Sequence, residues 1–264
     1  MIKGNNHSLI INADDFGMNS SVNNSILKAI VDGICTTTTM IVNLEGFEDA
    51  CEMAEKNKIR DRVGIHINLT EGVPLTDDIK RCKLFCSQDG EFIFEKNVKR
   101  IYRLDSQTRR WVYNEIEAQI RKCRNGGLSI SHADSHNHIH EEPGMIKVVM
   151  DVLKDQKIQY LRQVKNMVIR STRTKKLYRR VYNYVIAKGN LSGTDYFGGI
   201  EEYVYYCENK MIDNNAVVEV MIHPGRIESG NVIDIFDENN LTEILNRHIR
   251  GRRLVAYSEL KKRN

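Results

Sequence analysis

The sequence contains no apolar run that approaches the ~18 residues of a membrane-spanning helix. Its first residues lack the basic-then-apolar pattern of a secretory signal. The net charge is only +4, which is too small to indicate a nucleic-acid or membrane partner by itself. The six cysteines include no Cys-x-x-Cys pair and no regular framework, which is typical of reduced thiols. We therefore expect a cytoplasmic protein.

The chain also lacks an internal repeat and a clear linker. Its 264 residues fit one large α/β domain or two small ones, and are enough to bury a real core. A hydrophobic content of 41% with 28% charged residues is ordinary for a globular protein. We predict a single domain over residues 1–264.

Strand-like and helix-like patterns alternate along the chain. Apolar and β-branched runs predict strands at 9–11, 36–42, 63–69, 128–133, 158–161, 217–222 and 254–257. Helical spacing and caps predict helices at 20–33, 47–56, 106–123 and 143–153. Residues 70–105 show no strong period and are too many for a plain connection, so we predict a functional loop or small insertion there. The alternation predicts an α/β fold with a mostly parallel sheet, open or closed into a barrel.

Four of the eight histidines fall within nine residues: His132, His136, His138 and His140. Asp134 shares their even spacing, so an extended segment would place all five side chains on one face. Imidazoles with a carboxylate are a common way to hold a borderline divalent metal. A solvated polar loop is the alternative, but it would require half of the histidines to gather there by accident. The cluster predicts a metal or catalytic site.

Other polar side chains follow predicted strands. Asp14 and Asp15 come after the first strand, His66 lies near the end of the third, and His223 follows 217–222. Loops from the carboxyl ends of parallel strands converge, so we expect these side chains at one edge. Each also has a structural interpretation, because the acids could cap a helix, His66 could be a core histidine and His223 could fill a turn.

Five segments resemble motifs of the YdjC-like carbohydrate deacetylases, the family that contains the chito-oligosaccharide deacetylases. They are LIINADDFG at 9–17, VGIHINLT at 63–70 with GVPL at 72–75, HADSHNHIH at 132–140 and IHPG at 222–225. The segments keep the family's order and span most of the chain. The resemblance implies a single-domain distorted (β/α) barrel of the glycoside hydrolase/deacetylase type. It also implies a divalent metal held by one Asp and two His, and removal of acetyl groups from N-acetylated sugars.

The resemblance also implies roles for individual residues. Carried over position by position, it makes His66 and His136 metal ligands and Asp15 the carboxylate ligand. Asp14 would be the base that deprotonates water, and His223 would be the acid. A carboxylate near His223 would help the imidazole to hold its proton.

The chemistry of amide hydrolysis agrees with these roles. A bound metal activates water at neutral pH and polarises the carbonyl, a carboxylate takes the proton, and an imidazole returns one to the departing amine. His132, Asp134, His138 and His140 would then orient the ligands or contact the substrate. Two imidazoles and a carboxylate admit several divalent ions, of which we favour Mg²⁺ or Zn²⁺ and leave Mn, Co, Fe and Ni open.

Three alternatives stay open. A hydrolase of another bond, such as a phosphoester, would use similar ligands, and a 2-His-1-carboxylate iron oxygenase has the same ligand count. A nucleic-acid-binding protein would use the basic residues of 162–180, which are Arg162, Lys165, Arg170, Arg173, Lys175, Lys176, Arg179 and Arg180. Such runs are usually solvated helix faces, so we expect an acetylated sugar as partner and neither nucleic acid nor membrane. A homodimer stays open.

Overall fold

The computed structural model describes residues 6–93, 103–236, 238–249 and 251–260. The strands within these residues are β1 Ser8–Phe16, β2 Thr37–Met40, β3 Val63–Ile67, β4 Ala133–Ser135, β5 Tyr196–Gly199, β6 Val217–Ile222, β7 Pro224–Glu228, β8 Asn231–Asp234 and β9 Arg253–Leu254. The α-helices are α1 Ser20–Val31, α2 Phe47–Lys56, α3 Ser106–Asn125, α4 Ile146–Asp155, α5 Arg173–Lys188, α6 Ile200–Glu208 and α7 Leu241–Ile249. Strands and helices alternate as predicted.

The chain forms two compact units. The first contains Met1–Asp14, Ser21–Thr38 and Tyr160–Asn264, and the second contains Asp15–Ser20 and Thr39–Gln159. One boundary falls within β1, so the consecutive residues Asp14 and Asp15 belong to different units. The single domain over 1–264 stays a prediction.

Parallel strands form the centre of the first unit. β1 pairs in parallel with β6 and with β9, and β5 pairs in parallel with β6. The apolar run 9–11 is fully buried, as expected for a parallel strand whose two faces are both covered. The register pairs Ala13 with Ile222. Asp14 and His223, the next residues along the two strands, therefore follow at the same edge.

In the second unit β3 pairs in parallel with β4, and the register places His66 beside Asp134. Helix α3 begins after Asp105, whose carboxylate accepts a hydrogen bond of 2.8 Å from the backbone N–H of Thr108. The helix also buries Gln119, whose side-chain amide hydrogen-bonds the backbone N–H and C=O of Asn68 just beyond β3. This contact ties the end of β3 to a long helix.

The predicted loop over 70–105 is held in part by Glu115 of α3. The buried carboxylate of Glu115 accepts hydrogen bonds from the backbone N–H groups of Leu75 and Thr76 at 3.0 and 2.8 Å. A short 3-10 helix follows at Ile79–Arg81. Residues 94–102 lie outside the described residues, so the insertion stays a prediction.

The predicted α/β class with a mostly parallel sheet is confirmed. The helix at 47–56 and the strand at 217–222 have the predicted bounds. Three strand predictions are wrong. The strand predicted at 128–133 is instead β4 at Ala133–Ser135, and 158–161 contributes isolated bridge residues at Tyr160 and Leu161. The strand predicted at 254–257 is only the short β9 at Arg253–Leu254, because Tyr257 begins a 3-10 helix. β-branched residues favour an extended backbone, but a ladder also needs a partner strand in register.

The six cysteines are free thiols, and five of them are buried, which agrees with the prediction of reduced cysteines. Among the described helices, none combines the length and the apolarity that crossing a bilayer requires. The cytoplasmic location stays a prediction.

Candidate active site

The backbone turns sharply where β1 ends. Asp15 has a φ of 75°, in the left-handed region that Asp tolerates better than most residues. Gly17 follows with a φ of 91°, and a Cβ atom there would lie 2.3 Å from the backbone oxygen of Ile41. Only glycine fits this position, so the segment after β1 can pass close to a neighbouring backbone.

The carboxylate of Asp15 faces two imidazoles. Its Oδ1 lies 3.2 Å from Nε2 of His66 and 2.9 Å from Nδ1 of His136, and all three residues are buried. One potential ligand atom from each residue lies within 4.8 Å of the other two. The structure therefore brings together the three residues that the sequence predicted as metal ligands.

The charges of this cluster are strongly coupled. Burial raises the pKa of Asp15, but hydrogen bonds with His136 and His66 outweigh burial and hold this pKa well below its usual range. Burial lowers the pKa of His136, but hydrogen bonds with Asp15 and Glu71 raise it above the ordinary value. Asp15 is therefore an ionised carboxylate that attracts positive charge, either protonated imidazole or a metal ion.

A buried carboxylate orients His66. Oδ1 of Asp134 lies 2.6 Å from Nδ1 of His66, and Thr39 donates a hydrogen bond of 3.1 Å to Oδ2 of the same carboxylate. If Nδ1–H donates to Asp134, a His66 ring that gives up its Nε2 proton would present the Nε2 lone pair on the side of Asp15. The strand register sets His66 beside Asp134, the partner that would favour this tautomer.

His136 is oriented by Glu71, which the sequence reasoning missed. Nε2 of His136 lies 3.1 Å from Oε2 of Glu71, a side chain that is 53% exposed. The hydrogen bond with His136 lowers the pKa of Glu71. The amide of Asn68 anchors the backbone of Glu71, because its Oδ1 accepts from the N–H and its Nδ2 donates to the C=O. The signal was present, since Glu71 stands between the motif segments 63–70 and 72–75.

The histidine-rich segment is extended only as far as Ser135, so its even spacing does not place the five side chains on one face. β4 ends at Ser135, and His136–Glu141 forms short 3-10 turns interrupted by a kink at Asn137 and His138, which have left-handed φ values of 52° and 54°. Two consecutive left-handed residues end the alternation that would place 132–140 on one face. Asn137 favours this turn because Asn tolerates positive φ.

The other histidines of this segment have separate surroundings. His132 and His140 are fully buried, and Nδ1 of His140 lies 2.5 Å from the hydroxyl of Ser135. The side chain of His138 is 39% exposed, with Nδ1 3.8 Å from the carboxylate of Glu141. Their predicted role in orienting ligands or contacting substrate stays a prediction, whereas the contact of Asp134 with His66 is observed.

In the first unit Asp14 is held by a guanidinium. Arg162 donates from Nη1 to Oδ2 at 2.6 Å and from Nη2 to Oδ1 at 2.7 Å, and both side chains are buried. Asn12 donates a further hydrogen bond of 2.8 Å to Oδ1. Nε2 of His223 lies 3.9 Å from Oδ2, so the carboxylate of Asp14 lies near this imidazole. Asp14 is fixed in one orientation.

The prediction that Arg162 belongs to a solvated basic face is wrong, because its side chain is fully buried. Its Nε donates to Glu219 at 2.7 Å, and Tyr257 donates from its hydroxyl to the other carboxylate oxygen at 2.6 Å. A buried charge needs a partner, and Arg162 has two. A signal existed in Glu219, a charged residue in the middle of the apolar run 217–222.

The cluster around Asp15 fits a divalent metal. One carboxylate oxygen and two imidazole nitrogens form a ligand set suited to a borderline ion, with fewer protein ligands than a closed structural site. The second nitrogen of each imidazole meets a carboxylate, Asp134 or Glu71, as at many metal-bound histidines. The buried Asp15, His66 and His136 can hold such an ion.

Comparisons with known proteins find matches over most of the chain. The profile of the family described as YdjC-like protein matches residues 8–255. A carbohydrate deacetylase of Vibrio parahaemolyticus is 34% identical over 150 residues, which is 57% of this chain and 57% of the relative. A carbohydrate deacetylase of Halalkalibacterium halodurans is 31% identical over 222 residues, 83% of this chain and 86% of the relative. The aligned part thus spans little more than half of the first relative and most of the second.

A solved structure matches nearly the whole chain. It is a protein of Enterococcus faecalis V583, provisionally assigned to cellobiose-phosphate cleavage. The two chains are 23% identical, and the alignment covers 96% of this chain and 98% of the other with a TM-score of 0.72. At this identity the likeness shows the fold, which agrees with the α/β architecture described above.

Proposed function

Because this chain belongs to the YdjC-like family, we propose that it is a metal-dependent carbohydrate deacetylase that removes acetyl groups from N-acetylated sugars or oligosaccharides. Curated relatives named carbohydrate deacetylase support the reaction. The observation that carries the metal dependence is the buried cluster in which Asp15, His66 and His136 face one another. A structural site would use more protein ligands, so this set suits catalysis better.

The ligand atoms follow from the hydrogen bonds. His66 would ligate through Nε2, because Nδ1 contacts Asp134, and His136 would ligate through Nδ1, because Nε2 contacts Glu71. A bound divalent ion would supply an activated water and polarise the acetyl carbonyl. We propose Zn²⁺ or Mg²⁺, and two imidazole ligands favour Zn²⁺.

Asp14 is the proposed base that takes the proton from water. Arg162 and Asn12 keep its carboxylate in one orientation, which limits the motion that would weaken proton transfer. His223 is the proposed acid that returns a proton to the departing amine, because amines leave poorly unless protonated. Its ring packs edge-on against Phe236, with centroids 4.7 Å apart, and its backbone N–H donates to Asp234.

An acetate-release screen over N-acetylated mono- and oligosaccharides tests this function on the metal-loaded protein. We expect release from at least one sugar, loss of release after chelation, and recovery when Zn²⁺ or Mg²⁺ is added back. Hydrolysis of a phosphoester without acetate release would favour another hydrolase. Oxygen consumption with bound iron would favour an oxygenase.

A further inference from the structure

Helix α5 presents apolar side chains to solvent. Leu177, Val181 and Tyr184 are 63%, 52% and 62% exposed, and their spacing places them on one face. The helix buries only Tyr182 and Ile186. Among the described helices, α5 carries the most exposed large apolar side chains. Exposed apolar side chains that adjoin on one face are a feature of surfaces that contact a partner or a membrane.

The same helix is strongly basic. It has no acidic residue and six cations, which are Arg173, Lys175, Lys176, Arg179, Arg180 and Lys188. Its charge therefore exceeds the +4 of the whole chain. Our expectation of no membrane partner rested on that total, which conceals a local concentration of positive charge. The ammonium of Lys188 lies 5.6 Å from the ring centroid of Tyr184, so cations and apolar groups share the exposed face.

We propose that this face of α5, formed by Leu177, Val181 and Tyr184 with Arg180 and Lys188, docks on an anionic lipid surface. The helix would lie in the plane of the interface, with the apolar side chains at the boundary between headgroups and acyl chains. The cations would contact anionic headgroups, and tyrosine is favoured at this depth because its ring is apolar and its hydroxyl is polar. Such a contact needs no membrane-spanning helix.

Nucleic acid fits the same helix less well. Stacking along a strand of bases needs several exposed rings, but of the three tyrosines of α5 only Tyr184 is exposed, since Tyr182 is buried and Tyr178 is half-buried against it, with ring centroids 4.8 Å apart. Exposed aliphatic side chains such as Leu177 and Val181 gain little from a phosphate backbone. Pairing of α5 with α5 of a second copy would bring like charges together, which opposes association. A bilayer with anionic headgroups offers negative charge to the cations of the helix and acyl chains to its apolar side chains.

Vesicle flotation of the full chain tests the docking. We expect the protein to float with vesicles of phosphatidylcholine and phosphatidylglycerol, to stay behind with phosphatidylcholine alone, and to be released by salt. The double variant Leu177→Ser, Tyr184→Ser should bind about a hundredfold more weakly, since each removed side chain contributes about a factor of ten. Arg180→Gln should weaken binding about fivefold.

Val31→Ser is the matched control, because Val31 is 67% exposed at the end of another helix, α1, and should not change binding. Circular dichroism checks that each variant is folded. Lipid docking would be overturned if the wild type did not bind anionic vesicles, if it bound neutral vesicles equally well, or if Val31→Ser lost as much binding as the α5 variants.

A mobility shift of random DNA without vesicle binding would assign the helix to nucleic acid. A dimer in light scattering that Leu177→Ser, Tyr184→Ser dissociates would assign it to a second copy. Flotation measures binding alone, so these outcomes are independent of the deacetylase reaction.

Discussion

Asp14 and Asp15 are consecutive carboxylates with different chemical surroundings. Asp15 faces the imidazoles of His66 and His136, whereas Asp14 faces the guanidinium of Arg162. An imidazole can lose its proton and offer a lone pair to a metal, but a guanidinium stays charged and only donates hydrogen bonds. The neighbours therefore suit Asp15 to the proposed role of metal ligand and hold Asp14 in one orientation.

The two surroundings also differ in how they are held. Around Asp15 each imidazole depends on one further carboxylate, Asp134 or Glu71. Around Asp14 the guanidinium is shared with a second buried acid, Glu219. Replacing a proposed metal ligand should therefore abolish metal binding while the protein stays folded. Replacing the proposed base, Asp14, should abolish turnover while the metal stays bound.

The largest effect is expected from the imidazoles. His136→Ala should lose both bound metal and turnover completely while remaining folded, because one of three proposed ligands is gone. Mass spectrometry measures the metal content per protein, an acetate-release assay measures turnover, and circular dichroism checks that the variant is folded. Full metal occupancy in both His136→Ala and His66→Ala would show that these residues are not the ligands.

The adjacent acids should separate binding from chemistry. Asp14→Asn should keep its metal and lose kcat by roughly 10²–10⁴-fold, the usual contribution of general-base catalysis. Asp15→Asn should lose metal affinity instead, because an amide is a weaker ligand than a carboxylate. Metal titrations and kinetics on both variants make the comparison. If Asp14→Asn lost metal and Asp15→Asn kept it, the two roles would be exchanged.

A variant of His223 tests whether this residue protonates the departing amine. His223→Gln should lower release of a sugar amine by roughly 10²–10⁴-fold, because the amine must be protonated as it departs. The same variant should largely spare an activated acetate ester, whose alcohol leaves without a proton. Equal losses on the two substrates, or loss of metal from the variant, would contradict a role as acid.

The smallest effect is expected at Glu71. Glu71→Ala should weaken metal affinity by about tenfold, at the low end for residues that orient a ligand, because Glu71 is half exposed. Asp134→Asn should weaken metal affinity by nearer a hundredfold, since Asp134 is fully buried. Isothermal titration with Zn²⁺ measures both. Glu141→Ala is a matched control, because Glu141 faces His138 rather than a proposed ligand. An unchanged affinity in Glu71→Ala would remove Glu71 from the site.

Several features could be read from the residues in order. The helix at 47–56 and the strand at 217–222 follow from local spacing of apolar side chains, which fixes the buried face without a partner. The motif segments led to Asp15, His66 and His136, and the structure places these three together. The even spacing of the histidines in 132–140 did not place them on one face. Sequence spacing indicates a shared face only in an extended backbone, and the left-handed residues Asn137 and His138 interrupt it.

The sequence by itself determined the α/β alternation, the polar residues at strand ends and the family. Only the tertiary structure decided which groups meet, because those contacts join residues far apart in the chain. Asp14 and Arg162 are separated by 148 positions, and Asp15 and His136 by 121. Strand register and the buried environment select these pairs, since a charge taken out of water is stable only beside a partner. For this reason Arg162, which we expected at the surface, is buried where its guanidinium donates hydrogen bonds to Asp14.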